Sequence, residues 1–207
     1  MAVSTLIVLG SLVLILAVVI VKGFGSLNLD MITKTPQGGY YLGKEGGILN
    51  AIVGSLLIAG GSTVLALVFS LPIALYINIY AKKNSRFARI SRVSLDIMWG
   101  IPSIVYGAFG FTIMLFIGLK ASLLAGIITV ALLVFPIMCR AMDEVLRMAP
   151  QAIFDASYSL GATRFETAMK IAVRQTMPGI LSAVLVAMGR GIGDAASVLF
   201  AAGYSDY

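Results

Sequence analysis

Apolar residues in this chain fall in long blocks rather than in the alternating or helical spacing of half-buried elements. The blocks are Leu6–Val21, Ile48–Tyr80, Val93–Leu119, Ala121–Arg140 and Gly179–Ala202. A mostly apolar run of ~18 or more residues can cross a bilayer as a helix, and shorter runs approach that limit. The pattern therefore predicts five membrane spans in one all-α domain covering residues 1–207. The second block is longer than one crossing requires, so it is expected to begin in the headgroup zone. Pro72, Pro102 and Pro136 fall inside blocks, where neighbouring helices tolerate a kink.

Composition supports the same class. The chain is 59% hydrophobic with a mean hydropathy of +1.01, well beyond a soluble domain. The first block has no positively charged residue before it and no small-residue cleavage site before Lys22, so it is expected to be a retained anchor rather than a signal peptide. Lys82, Lys83, Arg86, Arg89 and Arg92 form a basic run between the second and third blocks. Short loops rich in Lys and Arg stay cytoplasmic, and such a run also touches anionic lipid. The run predicts a cytoplasmic N-terminus, cytoplasmic segments at 81–92 and 143–177, and external segments at 23–47 and 203–207. Cys139 is the single cysteine and there is no histidine, which removes an internal disulfide, the common zinc sites and histidine-based triads. No phosphate-cradling Gly-Lys loop is present, so no nucleotide site and no cofactor are expected in the chain itself.

The polar segment between the fourth and fifth blocks has the grammar of two short helices. Pro150 suits a helix start. Gly161 fits just past a helix end, where a left-handed residue is wanted. Thr163 and Glu166 are spaced as a capping box that opens a second helix. A helix–turn–helix knob between two spans is predicted.

Ionisable residues inside apolar blocks are the candidate chemistry. Arg190 lies twelve residues past Pro178, ~18 Å along a helix, and an arginine at mid-membrane costs ~2.5–3.5 kcal/mol on insertion scales. Asp194 follows at i+4, on the same face of a continuous helix, among Gly189, Gly191 and Gly193. The pair reads either as a self-satisfied ion pair between helices or as a substrate path, since a guanidinium suits a tetrahedral oxyanion. Arg140, followed by Asp143 and Glu144, reads equally as a membrane-end anchor or a path residue. Asp96 reads as a helix-start charge near Arg92.

Asp155-Ala156-Ser157, Gly161 six residues after Asp155, and Ile171 ten after Gly161 resemble the cytoplasmic EAA loop of ABC importer permeases. Asp155 replaces Glu, Ser157 replaces Ala, and Val173-Arg174 stands where Leu-Pro is usual. Ile101-Pro102-Ser103-Ile104-Val105-Tyr106-Gly107-Ala108-Phe109-Gly110, Met177-Pro178-Gly179-Ile180-Leu181, Gly46-Gly47-Ile48 with Asn50–Gly54, and Gly189-Arg190-Gly191-Ile192-Gly193-Asp194 resemble stretches of phosphate-importer permeases of the PstA type. The resemblance covers most of Gly46–Gly203.

It implies the MetI-like helical permease fold, with Asp155, Ala156, Ser157 and Gly161 forming a coupling element against a cytoplasmic ATPase. It also implies Arg140, Arg190 and Asp194 on a phosphate path, a second, PstC-like permease subunit, and an external phosphate-binding protein. Asp194 replaces the family's Glu, Ala195-Ala196-Ser197 replaces Thr-Ala-Pro, and Ala141-Met142 replaces two threonines, changes that bear on which oxyanion or other small solute is preferred. The family has a sixth span; here the sequence ends at Tyr207 after the fifth. Two readings from other classes stand beside the importer. A non-transporting membrane scaffold would use the same knob and not need Arg190. A DNA-binding regulator would need a basic recognition helix, for which the three basic residues between Arg164 and Arg174 are a weak basis, and no nucleic-acid partner is expected.

Overall fold

A computed structural model of the chain describes residues 2–25, 27–36, 46–81, 85–118 and 121–202. Lys82, Lys83, Lys120 and the predicted external segment 203–207 lie outside these residues, as does most of the Gly-rich stretch before Gly46. Every regular element among the described residues is a helix. The chain divides into two compact units at Val53 and Gly54.

The first unit holds α1 (Ala2–Phe24) and α2 (Leu29–Thr33). α1 is apolar on every side, as a membrane-crossing helix must be. Asp30 and Lys34 form an i,i+4 pair at 2.7 Å. The Ile48 N–H donates to the Met31 carbonyl at 2.7 Å and closes a tight return. Gly46 takes φ +109° there, a conformation that favours glycine.

α3 (Leu49–Leu75) runs on without a break into a π-helical segment, Tyr76–Tyr80. Together they make a 32-residue helix, ~48 Å long against a hydrocarbon core of ~30 Å. In the second unit, α3 buries the small residues Ala59, Ser62, Ala66, Ser70 and Ala74, spaced so that another helix can approach closely. α6 (Leu123–Met148) lies at the centre of this unit. Its Val130, Val134, Met138 and Met142 are fully buried. The Ser122 hydroxyl caps its start by accepting from the Ala125 N–H at 3.3 Å.

The third apolar block, expected as a single span at 93–119, is not one straight helix. It splits into α4 (Arg86–Trp99) and α5 (Ser103–Ile117), bent from each other by 99°. The cause is Ile101-Pro102, because a residue before proline is driven out of the α region. Pro102 therefore marks a helix boundary, whereas Pro72 and Pro136 lie inside helices as expected. The Tyr106 hydroxyl donates back to the Met98 carbonyl at 2.8 Å and holds the bend. Arg86, Arg89 and Arg92 consequently lie on a helix and not on a loop.

The fifth block also departs from its predicted limits of 179–202. After α7 (Gln151–Ser159), helix resumes at α8 (Arg164–Glu166). It continues through a π-helical segment (Thr167–Ala172) into α9 (Val173–Ile192). A break at Gly193–Ala195 then precedes α10 (Ala196–Ala201). With Val173-Arg174 in place of Leu-Pro, nothing stops the second knob helix, and it merges with the span. α6 likewise runs on to Met148, so both ends of the segment predicted at 143–177 are helical continuations of their neighbours. Four helices among the described residues are long and apolar enough to cross a membrane, or five if the bent pair counts as one.

α10 packs on α5 at a point where only glycine fits. A Cβ on Gly107 would lie 2.9 Å from the Ala196 carbonyl oxygen and 3.0 Å from the Ser197 Cα. Both neighbours are backbone, so relief requires moving α10. Gly107→Val should lower stability by ~1–3 kcal/mol through overpacking, seen as a reduced thermal midpoint of the detergent-solubilised chain; an unchanged midpoint would contradict this packing.

Candidate functional site

The two short helices predicted between spans four and five are present. Pro150 precedes α7, Gly161 takes φ +80°, and α8 opens with a complete capping box. The Thr163 hydroxyl accepts from the Glu166 N–H at 3.2 Å, and the Glu166 carboxylate accepts from the Thr163 N–H at 3.1 Å. Of the four residues singled out on this knob, Asp155 and Ala156 are exposed on α7, with Asp155 accepting from the Gln151 amide at 3.3 Å. Ser157 points inward and is buried. Its hydroxyl pairs with that of buried Thr167 at 2.9 Å, which ties α7 to the helix that becomes α9. Gly161 makes the turn, and Leu160 beside it projects from the tip, 89% exposed. Arg164 donates to the Tyr80 carbonyl at 3.3 Å, so the knob is also fastened to the end of the long α3 helix.

Beside the knob lies a charge cluster that sequence reading only partly located. The Asp143 side chain is fully buried. Its carboxylate accepts from Arg92 through Nε at 2.9 Å and a second guanidinium nitrogen at 2.9 Å, from Arg140 at 2.8 Å and from the Asn78 amide at 2.8 Å. Asn78 also donates to the Ala74 carbonyl at 2.8 Å. Arg140 in turn pairs with Asp96 at 2.7 Å and approaches Glu144 at 3.6 Å. One carboxylate thus joins the π-helical end of the α3 helix, α4 and α6. A buried charge is tolerable only when paired and hydrogen-bonded, and Asp143 meets that condition on all sides. Asp96, expected as a helix-start charge near Arg92, instead lies near the end of α4 and pairs with Arg140 across helices. Arg140 is part of this clamp. The clue in the sequence was the spacing of Cys139, Met142, Asp143 and Leu146, which sets a carboxylate on an otherwise apolar buried face.

Arg190 and Asp194 stand elsewhere. Gly191 packs beside Val130 and Val134 of α6, whereas Arg140 lies six residues beyond Val134, ~9 Å along that helix. The structure therefore does not bring Arg140 together with the other two. Arg190 occupies the last turn of α9, where a cation is favoured by the helix dipole. Its side chain is 52% exposed, against 5% for Asp194. The pair is separated by 3.9 Å. The expected i,i+4 pair is thus present at long range, but not along a continuous helix, because α9 ends at Ile192. Asp194 instead accepts from the Ser197 N–H at 2.9 Å and from the Ser197 hydroxyl, and so caps α10. It also lines a cavity of about 430 Å³ with Ser55, Gly191, Gly193 and Ala195. One Asp194 oxygen serves Ser197, and the other faces the half-exposed Arg190 guanidinium at 3.9 Å.

The clamp yields a stability test. Asp143→Ala leaves two largely buried guanidiniums without their shared acceptor and should cost ~3–5 kcal/mol. Asp143→Asn keeps part of the hydrogen bonding and should cost less. Thermal unfolding of the detergent-solubilised variants measures both, and a neutral Asp143→Ala would contradict the clamp.

Comparison with known proteins gives these features a context. The family model described as "Binding-protein-dependent transport system inner membrane component" matches residues 66–206. A phosphate transport system permease protein PstA 1 of Mycobacterium tuberculosis is 34% identical over 204 residues, 98% of this chain and 66% of that protein. PstA of Haemophilus influenzae is 34% identical over 189 residues, covering 91% of this chain and 65% of its own length. PstA of Yersinia pestis is 32% identical over 189 residues, with 91% and 63% covered. The chain thus spans just under two thirds of the length of these relatives. In fold it is similar to a chain of the MetNI methionine ABC transporter in an inward-facing conformation, with a TM-score of 0.66, 19% identity and 70% of each chain covered. The match over residues 66–206 takes in the knob, the clamp and the Arg190 break together, and the chain belongs to the family of binding-protein-dependent transport system inner membrane components.

Proposed function

We propose that this chain is a permease subunit of an ATP-driven importer of inorganic phosphate. The observation that carries the substrate reading is Arg190. Its guanidinium is half exposed and held only loosely, at 3.9 Å, by the one Asp194 oxygen that Ser197 does not take. No Cβ-sized neighbour lies within 4 Å of where a side chain on Gly189 would begin, so the surface beside Arg190 is open to a ligand or a second subunit. A fixed, always-charged fork of donors matches a tetrahedral oxyanion. The relatives named as phosphate permeases supply the choice of anion.

In this reading the α7–Gly161–α8 knob enters a groove on a cytoplasmic ATPase, and Asp155 and Ala156 meet its surface. Nucleotide binding and hydrolysis belong to that ATPase. Ser157–Thr167 transmits movement of the knob to the helix that carries Arg190, because Thr167 and Arg190 lie on one continuous helix. A PstC-like permease completes the path, and an external binding protein delivers phosphate to it. The basic run at 82–92 and the knob face the cytoplasm, with 23–47 outside. Alternation between inward- and outward-open states needs the ATPase to bind one state better by only a few kcal/mol.

The test is phosphate uptake by the full importer in vesicles. Arg190→Gln leaves the Asp194 cap intact, so assembly should be normal. Loss of charge-assisted hydrogen bonds of ~1.5–3 kcal/mol predicts uptake reduced roughly 10- to 100-fold. Arg190→Lys keeps the charge without the fork and should fall between. Normal uptake by assembled Arg190→Gln would reject Arg190 as the anion contact and leave a helix-end charge.

A further inference from the structure

α4 has a surface that neither the clamp nor the transport reading uses. Its Ala88 and Leu95 are buried against the bundle, and Arg92 and Asp96 are spent in the clamp. On the opposite side Ile90, Val93 and Ile97 are 64%, 51% and 64% exposed. They share that face with Arg86 at helical spacing. Arg89 flanks the face and is exposed. Neither the Arg86 nor the Arg89 side chain has an ion-pair or hydrogen-bond partner among the described residues. With Arg92 and Asp96 neutralised, these two guanidiniums leave an uncompensated positive edge along an apolar band.

The geometry sets where this helix sits. α4 is 14 residues long, ~21 Å, too short to cross a ~30 Å core. It turns 99° from α5, so where α5 descends into the hydrocarbon core along the bilayer normal, α4 runs close to the membrane plane. Trp99, the only tryptophan of the chain, closes the helix and is 54% exposed, and tryptophan favours the membrane–water boundary. A mainly apolar groove of about 560 Å³ runs alongside, lined by Pro72, Ile73, Tyr76, Phe87, Ile90 and Leu95. Tyr76 and Phe87 meet edge to face there, with centroids 5.9 Å apart.

We infer that α4 is an interfacial helix that binds anionic phospholipid, with Arg86 and Arg89 on the headgroup phosphate and an acyl chain in the groove between α4 and the end of α3. Charge complementarity selects this occupant over a zwitterionic lipid. An apolar band beside free arginines is the pattern of a helix lying in the interface of a negatively charged leaflet. The inference rests on the bend and the exposed face, and not on which solute is carried or which side of the membrane is which.

Trp99 provides the probe. The full chain is reconstituted in phosphatidylcholine vesicles containing phosphatidylglycerol, with bromine placed high in the acyl chains of one lipid or the other. Brominated phosphatidylglycerol should quench Trp99 more strongly than brominated phosphatidylcholine at equal mole fraction. The local enrichment should be on the order of fivefold per guanidinium. The double variant R86Q/R89Q should lose the preference with its thermal midpoint unchanged, and R86K/R89K should keep most of it. Equal quenching by the two lipids in the unaltered chain would overturn the inference, as would a preference that survives R86Q/R89Q. Protection of Trp99 from both lipids once a second permease subunit is present would also overturn it, because a protein would then cover this face. No transport is measured, so failure here leaves the phosphate reading standing, and failure of that reading leaves this one.

Discussion

Asp143 is the constraint on which this architecture turns. A carboxylate with no solvent access must be matched on all its lone pairs, or it destabilises the fold by several kcal/mol. Its partners come from three separate pieces of chain: Asn78 near the end of the long α3 helix, Arg92 on α4, and Arg140 one turn back on α6. Satisfying one buried charge therefore fixes where α4 lies against α6 and how the π-helical end of α3 is wound. The 99° bend at Ile101-Pro102 follows naturally, since α4 is held by the clamp while α5 packs on α6 and α10. Arg140 draws in Asp96 as well, so α4 is fastened at two points one turn apart.

The same end of the bundle carries the knob. Arg164 reaches the Tyr80 carbonyl, two residues beyond Asn78, and Phe154 of α7 packs on the core built around α6. Ser157 and Thr167 join α7 to the helix that runs to Ile192. In the proposed importer, force applied at Leu160 or Asp155 reaches Arg190 along one helix, while the clamp keeps α4 and α6 as the frame against which it moves. In that proposal the helix running from Arg164 to Ile192 is the element both sites share.

How much of this was legible in the sequence depended on how local the cause was. The knob was readable because each part is set within a few residues: Pro150, the left-handed Gly161, and the Thr163–Glu166 box. Membrane spans were readable as blocks, since apolar length is a property of contiguous sequence. Their edges were not. A block average cannot see that Pro102 turns the chain, or that Val173-Arg174 lets α8 and α9 run together. The charge cluster was least legible, because Asn78, Arg92 and Asp143 lie up to 65 residues apart and become neighbours only on folding. Asp194 shows the same limit on a smaller scale. Its i,i+4 spacing from Arg190 presupposed a helix that ends first; the pair survives at 3.9 Å, while a capping contact with Ser197 takes the other carboxylate oxygen.

In the proposed importer the α7–α8 turn docks on the ATPase and the opposite end of the bundle does not. A photo-crosslinking residue placed at Leu160, the 89% exposed tip of the knob, tests this most directly. Phe116, 93% exposed near the far end of α5, is the control. In membranes containing the whole importer, illumination should join the Leu160 probe to the ATPase subunit, and nucleotide should change the yield. The Phe116 probe should give no ATPase adduct. An ATPase adduct from Phe116, or none from Leu160 in an assembled and transporting complex, would contradict the account.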